Sequence, residues 1–383
     1  MLKFSAPMPY TIEYINKILD INKQIKKSKI TSLYASLPST CNLFSGFEQK
    51  RNIYLKQTDF NYWKFLMCYS IEKGMEFIYL LNNPASFDLS SPDFIKKIEK
   101  LDKLLCELKK IGITKLRAAS APLISYLCKN YSQFDIYAST SFEFKTISEY
   151  QNFFMFHPNV KQIVPSHDIN KNFRLLKNLK KDYPQTEIEI MVNEGCMQGC
   201  PNRNLHSNLN IDFNVTYKDD LCLSNKYCMT YCNNVMKILP FHSLTLNNNI
   251  YPWEIEKYSK IGINNFKLVG RDMFTFKIEN YLNEYLLYLK CIDDYKISDN
   301  ISIVSFIHHL SEQTELKGLK TAEIKKYLPN INHFIKYGHL CASICGVDCR
   351  YCYKCAEKIQ KVFFTKQEEE RKRHISVCFI NNI

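Results

Sequence analysis

Short apolar segments alternate with amphipathic helical patterns along most of the chain, and this alternation limits the possible folds more than any other feature of the sequence. Eight segments are predicted strands, at residues 32–36, 77–81, 115–119, 135–139, 162–165, 187–193, 238–244 and 265–269. Strands that alternate with helices pair in parallel, with the helices as crossovers. Eight such units match a (β/α)8 barrel, so we expect an α/β fold of the TIM type. An open doubly wound sheet is the alternative, although no Gly-rich loop follows the first predicted strand.

The helical patterns between these strands cover residues 93–112, 121–131, 146–154, 167–184 and 252–262, and a further pattern at 273–292 is expected to close the barrel. From about Asp293 the alternation stops. We therefore predict a barrel domain at residues 1–295 and a small Cys-rich C-terminal extension at 296–383. The extension contains a long charged segment at 354–374, which is predicted to be one exposed helix.

Composition and charge exclude some classes of protein. The chain has no apolar run near 18 residues, so no membrane span is predicted, and its first residues become charged too early for a signal peptide. We expect a cytoplasmic protein. The net charge of +13 is compatible with RNA, an anionic small molecule or an acidic peptide as partner. A compositional bias toward Lys and Asn explains the charge equally well and implies no partner.

Sixteen cysteines are unevenly distributed along the chain. A disulfide framework is not expected in a reducing compartment. Isolated cysteines in apolar surroundings are predicted to be small core residues; they are Cys68, Cys106, Cys128, Cys291 and Cys378. All the others except Cys41 lie in two clusters, and clustered thiols in a reducing compartment indicate a metal. The first cluster comprises Cys196, Cys200, Cys222, Cys228 and Cys232, and the second comprises Cys341, Cys345, Cys349, Cys352 and Cys355.

The spacing within each cluster is typical of metal ligands. Cys196 and Cys200 form one CxxxC pair and Cys228 and Cys232 form another, which together supply the four thiolates of a cubane iron–sulfur cluster or of a zinc site. Cys222 and Cys41 are further candidates for the same set. The C-terminal run C-x3-C-x3-C-x2-C-x2-C is predicted to bind its own metal, either zinc or a second [4Fe–4S] cluster.

In a TIM barrel the loops after the strands share one rim, where such barrels carry their active sites. Cys41 follows the first predicted strand and Cys196 follows the sixth, so both are expected at this rim. Charged candidates join them there: Glu194, Arg203 and His206 after the sixth strand, and Lys267 and Arg271 at the eighth. They are predicted to position an anionic donor or substrate, or to support the metal site. A strand-end cap, a structural histidine and solvated cations are the simpler alternatives.

Several motifs in this order resemble the peptidase U32 family, formerly called collagenase-like proteases. They are VNEGCMQGCPNR, the later PWEIEKYSKIGINNFKLVGR, and the intervening STSFEFKTISEYQNF and KQIVPSHDINKNFRLLKNL, and the likeness covers roughly residues 30–275. The resemblance implies a TIM-like barrel with a [4Fe–4S] cluster on four cysteines. It also implies oxygen-independent hydroxylation of tRNA, ribosomal RNA or the ubiquinone ring, with prephenate as oxygen donor in several members. In the ubiquinone branch one ligand follows the first barrel strand, where Cys41 lies here.

The chain also departs from this family. Cys196 and Cys200 add a CxxxC pair, and the C-terminal cysteine run is not part of the ubiquinone-branch pattern. We therefore expect a divergent iron–sulfur enzyme that acts on a natural product, a peptide or another small substrate, with a prephenate-like donor and a possible partner protein. A tRNA- or rRNA-modifying protein and a zinc-stapled scaffold without catalysis are the alternatives. Peptidase activity is not expected, because the chain has neither an HExxH nor a GxSxG motif.

Overall fold

Eight parallel strands close into a barrel in the order β1-β2-β3-β4-β5-β6-β7-β8, with β8 paired to β1. The computed structural model describes residues 1–36, 60–81, 92, 94–200, 203, 240–270, 278–307, 316, 318–341 and 348–380. The strands are β1 Leu2–Pro7, β2 Ser28–Ala35, β3 Glu76–Leu81, β4 Lys115–Ala118, β5 Asp135–Ala138, β6 Gln162–Ile163, β7 Glu187–Met191 and β8 Asn265–Lys267. The predicted TIM-type barrel is therefore confirmed.

Helices surround the barrel and continue into the C-terminal region. Those that accompany the strands are α1 Ile12–Gln24, α2 Phe60–Glu72, α3 Phe94–Lys110, α4 Ala121–Asn130, α5 Ile147–Phe156, α6 Phe173–Asp182, α7 Pro240–Thr245, α8 Ile255–Ser259 and α9 Ile278–Asp293. After Asp293 come α10 Thr321–Ile324, α11 Ile331–Tyr337 and the long α12 Tyr351–Ile380, with short 3-10 turns between them. None of the helices in the described part of the chain is long and apolar enough to cross a membrane.

The structure corrects one of the eight predicted strands and adds one strand that was not predicted. The N-terminal strand β1 was not predicted, because LKFSAP is short and its first two residues, Leu2 and Lys3, are not buried. The predicted strand at 238–244 is wrong: α7 begins at Pro240, whose fixed φ suits the first turn of a helix. The predicted first strand is therefore β2, and the strand before Cys196 is β7 instead of the sixth. Because one strand was missed and one was wrongly predicted, the predicted number of eight strands is still correct.

The outward faces of the strands pack against the helices in one continuous hydrophobic core. Residues of the C-terminal region belong to this same core, among them Ile303, Phe306 and Phe334. The inward face of the barrel is more polar. Buried Arg117 pairs with Glu189 at 2.7 Å and donates to Gln162. The extension thus shares the core of the barrel. The predicted domain boundary at residue 295 stays a prediction.

Local sequence signals fix where the helices after β5 and β6 begin. Thr146 and Glu149 form a capping box at the start of α5, and the Asn172 side chain accepts the Leu175 N–H at the start of α6. Each cap satisfies backbone donors that the first turn of a helix leaves without partners. The loops that precede these helices are thus held at the C-terminal rim of the barrel.

Candidate functional site

The loop that carries Cys196 and Cys200 leaves β7 at the C-terminal rim of the barrel. Asn193, two residues after β7, is buried, and its side-chain oxygen accepts the Val269 N–H at 2.7 Å, which ties the ends of β7 and β8 together. Farther along, Met197 pairs with Asn247 in an antiparallel bridge, and the Gln198 N–H donates to a carbonyl after α7 at 2.9 Å. The thiol loop is therefore anchored on both sides.

Two carboxylates accept backbone N–H groups from this loop. The Glu194 side chain accepts the Cys196 N–H at 3.1 Å, and Asp168, from the loop after β6, accepts the Gly199 N–H at 2.9 Å. Hydrogen bonds to a charged acceptor are stronger than hydrogen bonds between two neutral groups. The backbone around both thiols is thus fixed by side chains of the rim, and we call residues 194–200 the thiol loop.

The guanidinium of Arg203 joins two acidic side chains. Its Nε lies 2.9 Å from Oε1 of Glu143, and its Nη2 lies 3.9 Å from Oε2 of Glu194. All three side chains are only 12–14% exposed. Burial acts to lower the pKa of Arg203, but negative charge at Cys196, Glu194 and Glu143 raises it overall, so the guanidinium stays charged. Because Arg203 is engaged by protein carboxylates, its position favours support of the thiol loop over substrate binding.

Glu143 adopts an unusual backbone conformation. Its φ of 51° lies in the left-handed region, and it is the one non-glycine residue with positive φ among those the structure describes. Its carboxylate accepts from Arg203 and, at 2.5 Å, from the Ser166 hydroxyl. A conformation of this kind costs about 1–2 kcal/mol and persists where the surroundings hold it. The strain therefore lies at the contact between the loops after β5, β6 and β7.

His167 is fully buried beneath the thiol loop. Its Nε2 lies 3.3 Å from Asp168 and 3.5 Å from the Met197 carbonyl oxygen, and its Nδ1 has no hydrogen-bond partner within the described part of the chain. Burial lowers the pKa of His167, so the ring is neutral at pH 7. Burial acts to raise the pKa of Asp168, but contacts with His167, Lys145 and the Gly199 N–H lower it overall. The Lys145 Nζ lies 2.6 Å from Oδ2 of Asp168, and its positive charge balances the negative charge of the Asp168 carboxylate.

Lys267, at the end of β8, is directed into the barrel. Its side chain is buried, and its Nζ lies 4.5 Å from the centre of the Tyr34 ring. The Tyr34 hydroxyl donates to the Leu268 carbonyl at 2.6 Å, which fixes the ring. An ammonium over an aromatic face is stabilised by the ring electrons. This arrangement places a cation inside the barrel, at the C-terminal end of β8.

The structure brings together some of the predicted site residues. Glu194, Cys196, Cys200 and Arg203 are neighbours on the loop after β7, and Lys267 lies on the adjacent strand. The remaining barrel candidates fall outside the described residues, namely Cys41, Cys222, Cys228, Cys232, His206 and Arg271.

The sequence prediction missed Glu143, His167 and Asp168. A signal was available for the last two, because Ser166-His167-Asp168 directly follows a predicted strand and so belongs to the same rim. Glu143 precedes α5 without a motif of its own.

The C-terminal cysteines lie where the extension packs on the core. Cys341, Cys349 and Cys352 are half-buried and Cys355 is buried, whereas Cys345 falls outside the described residues. Burial raises the pKa of the Cys355 thiol. Neither here nor at the rim do the described residues alone include three His, Cys, Asp or Glu side chains grouped as metal ligands. A metal at either place would take further ligands from residues beyond these, and both metal sites stay predictions.

A comparison with known proteins finds a relative that matches nearly the whole chain. No family model matches the chain. A protein of Methanocaldococcus jannaschii named as an uncharacterized protease is 24% identical over 353 residues, which are 92% of this chain and 95% of that protein. Its likeness therefore extends beyond the barrel.

Solved structures resemble the chain more distantly. A U32 peptidase has 10% identity and a TM-score of 0.43, over 70% of this chain and 93% of that one. A dihydrodipicolinate synthase from Bacteroides thetaiotaomicron has 10% identity and a TM-score of 0.34, over 73% of this chain and 96% of that one.

Proposed function

We propose that the chain is a divergent member of the peptidase U32 family, and that it is an iron–sulfur enzyme for oxygen-independent hydroxylation, or a related redox modification, of a small molecule or peptide. The observation that carries this proposal is the thiol loop itself. Cys196 and Cys200 stand at the active-site rim of a TIM barrel, on a backbone held by two carboxylates and beside a buried guanidinium.

The described donor groups fit a soft metal. Thiolates are the preferred ligands of iron–sulfur clusters, and a thiol must lose its proton to bind. The Arg203 cation interacts electrostatically with Cys196, which favours the thiolate. Cys196 and Cys200 would supply two ligands, with the others from Cys228, Cys232 or Cys41. A bound [4Fe–4S] cluster would supply electrons or an open iron site.

The residues of the chain have their own roles in this proposal. Glu194 and Asp168 orient the thiol loop through backbone N–H groups, and Arg203 holds the loops after β5 and β7 together. Lys267 provides positive charge inside the barrel mouth, where it would attract a carboxylate-bearing donor of the prephenate type. Arg271, four residues later, is the second cation proposed for this donor. His206 keeps its predicted role of supporting the cluster or the substrate.

Proteolysis is a weaker proposal, although the archaeal relative is named as a protease. The Ser166 hydroxyl lies next to His167 in sequence, but it donates to Glu143 instead of to the imidazole. A serine nucleophile is activated by a hydrogen bond to its base, and this pair does not form one. The reduced thiols of the rim are better explained as ligands.

Anaerobic purification followed by iron, acid-labile sulfide and zinc analysis tests the proposed function. We expect a brown protein with iron and sulfide in equal amounts, and a visible spectrum that changes when a carboxylate donor is added. Lys267→Met should keep the cluster spectrum and weaken the response to the donor. A colourless protein that holds only zinc would contradict the proposal and would favour the stapled scaffold, and donor-independent binding of tRNA would favour the RNA-modifying alternative.

A further inference from the structure

The turn between the two thiols of the rim depends on one glycine. Gly199 has a φ of 65°, in the left-handed region that favours glycine. A Cβ built on Gly199 would meet no atom within 4 Å. The position therefore requires glycine for its backbone conformation and not for lack of space, and the chain between Cys196 and Cys200 turns at this point.

Asp168 holds this turn from a different loop. Its Oδ1 accepts the Gly199 N–H at 2.9 Å across 31 residues of sequence. Asp168 is itself held in place, because its own N–H donates to the Ser166 hydroxyl and its Oδ2 lies 2.6 Å from the Lys145 ammonium. Its side chain is only 10% exposed. The acceptor for the turn is thus held in place by protein groups.

The charge of this acceptor is balanced. An unpaired carboxylate beside Cys196 and Cys200 would repel two thiolates. The Lys145 ammonium pairs with the outer oxygen of Asp168 and offsets this repulsion, while the inner oxygen remains bound to the Gly199 N–H. Asp168 and Lys145 together therefore fix the backbone of the thiol loop and add little net charge beside the thiols.

We propose that Asp168 is a positioning residue, which sets the relative orientation of the Cys196 and Cys200 thiols by fixing the left-handed turn at Gly199. The proposal rests on the proposed function in one respect, namely that these two thiols bind a metal. What Asp168 contributes is a hydrogen-bond acceptor at a fixed place, so an asparagine, which keeps Oδ1 as the acceptor, should retain most of this effect. Its amide nitrogen cannot accept from Lys145, but the half-exposed Lys145 side chain can turn into solvent.

Cobalt(II) binding to the metal-free full-length protein measures this contribution, because thiolate ligation of cobalt gives a charge-transfer absorption. The part of the signal that Cys196→Ser removes defines the rim site and separates it from the C-terminal cysteines. Asp168→Ala should weaken binding at the rim about tenfold or more, as loss of a residue that orients metal ligands commonly does. Asp168→Asn should bind close to the wild type. Asp294→Ala is the matched control, since Asp294 also accepts a backbone N–H but is exposed and follows α9.

Hydrogen exchange of the peptide that contains Gly199 gives a second measurement that needs no metal. Exchange should be faster in Asp168→Ala than in the wild type and should be restored in Asp168→Asn. If the wild-type protein binds no metal at the rim, the proposed function fails while this measurement still decides the role of Asp168. Equal exchange in the wild type and Asp168→Ala, or equal losses in the Ala and Asn variants, would overturn the proposal.

Substitution of the turn itself covers the case in which Asp168→Ala does not fold. Gly199→Ala strains the left-handed turn without a steric clash, whereas Gly199→Asn is better tolerated there. We expect cobalt affinity at the rim to fall in the Ala variant and to recover partly in the Asn variant. Unchanged affinity in Gly199→Ala would contradict a role for the turn.

Discussion

Replacement of Arg203 by methionine should destabilise the protein through the carboxylates that it leaves behind. The guanidinium lies 2.9 Å from Glu143 and 3.9 Å from Glu194, and methionine keeps most of the side-chain volume without the charge. After the substitution, two mostly buried carboxylates face each other without a cation. The rim would then lose the contact that joins the loops after β5 and β7.

The size of the effect follows from burial and distance. Breaking a buried ion pair costs about 3–5 kcal/mol of unfolding free energy, because the remaining charge is uncompensated. The pair here is 12–14% exposed, and only the contact with Glu143 is short, so we expect about 3 kcal/mol, the lower end of that range.

Urea denaturation of the wild type and Arg203→Met at pH 7 measures this loss of unfolding free energy. The double variant Arg203→Met with Glu143→Gln should be less destabilised than Arg203→Met alone, because the unpaired charge is gone. A loss below about 0.5 kcal/mol, the usual range for surface substitutions, would refute the assignment of a buried pair.

Two further predictions concern the packing of the C-terminal region and the pH dependence of stability. Gly338→Ala would bring a Cβ to 2.2 Å from the Lys171 carbonyl oxygen, so unfolding should show a loss of about 3 kcal/mol, whereas Gly318→Ala, with open space, should be close to neutral. Burial raises the pKa of Glu254 to about 7, so wild-type stability should fall as the pH rises from about 4.5 to about 7 and change little above. Thermal unfolding at several pH values measures this dependence. The fall in stability between about pH 4.5 and about pH 7 should be absent in Glu254→Gln and should remain in Glu256→Gln, a control at an exposed site.

The barrel could be predicted from sequence because its signal is repeated. Each strand–helix unit carries the same alternation, so one error in eight does not change the fold. The segment 238–244 was misassigned because a short apolar run fits a buried strand and a buried helix equally well. Strand β1 was missed because its sequence is short and one of its two pairing partners, β8, lies far away in sequence.

The candidate site was predictable only where its residues share a motif. Cys196, Cys200, Glu194 and Arg203 lie within one short stretch of sequence, and they are neighbours in the structure. Glu143 contacts Arg203 across 60 residues, and no local pattern marks it. The predicted role of Arg203 in substrate binding could not be tested from sequence, since its two acidic partners become visible only when the loops are placed on the barrel.

Iron and sulfide content of thiol variants tests the central claim most directly. Cys196→Ser and Cys200→Ser should each lose one cluster, about four iron and four sulfide per chain, together with its visible absorption. Cys106→Ser and Cys291→Ser, an exposed and a buried thiol away from the rim, should keep the wild-type content. Full iron and sulfide in both rim variants, or equal losses in all four, would contradict an iron–sulfur cluster on the thiol loop.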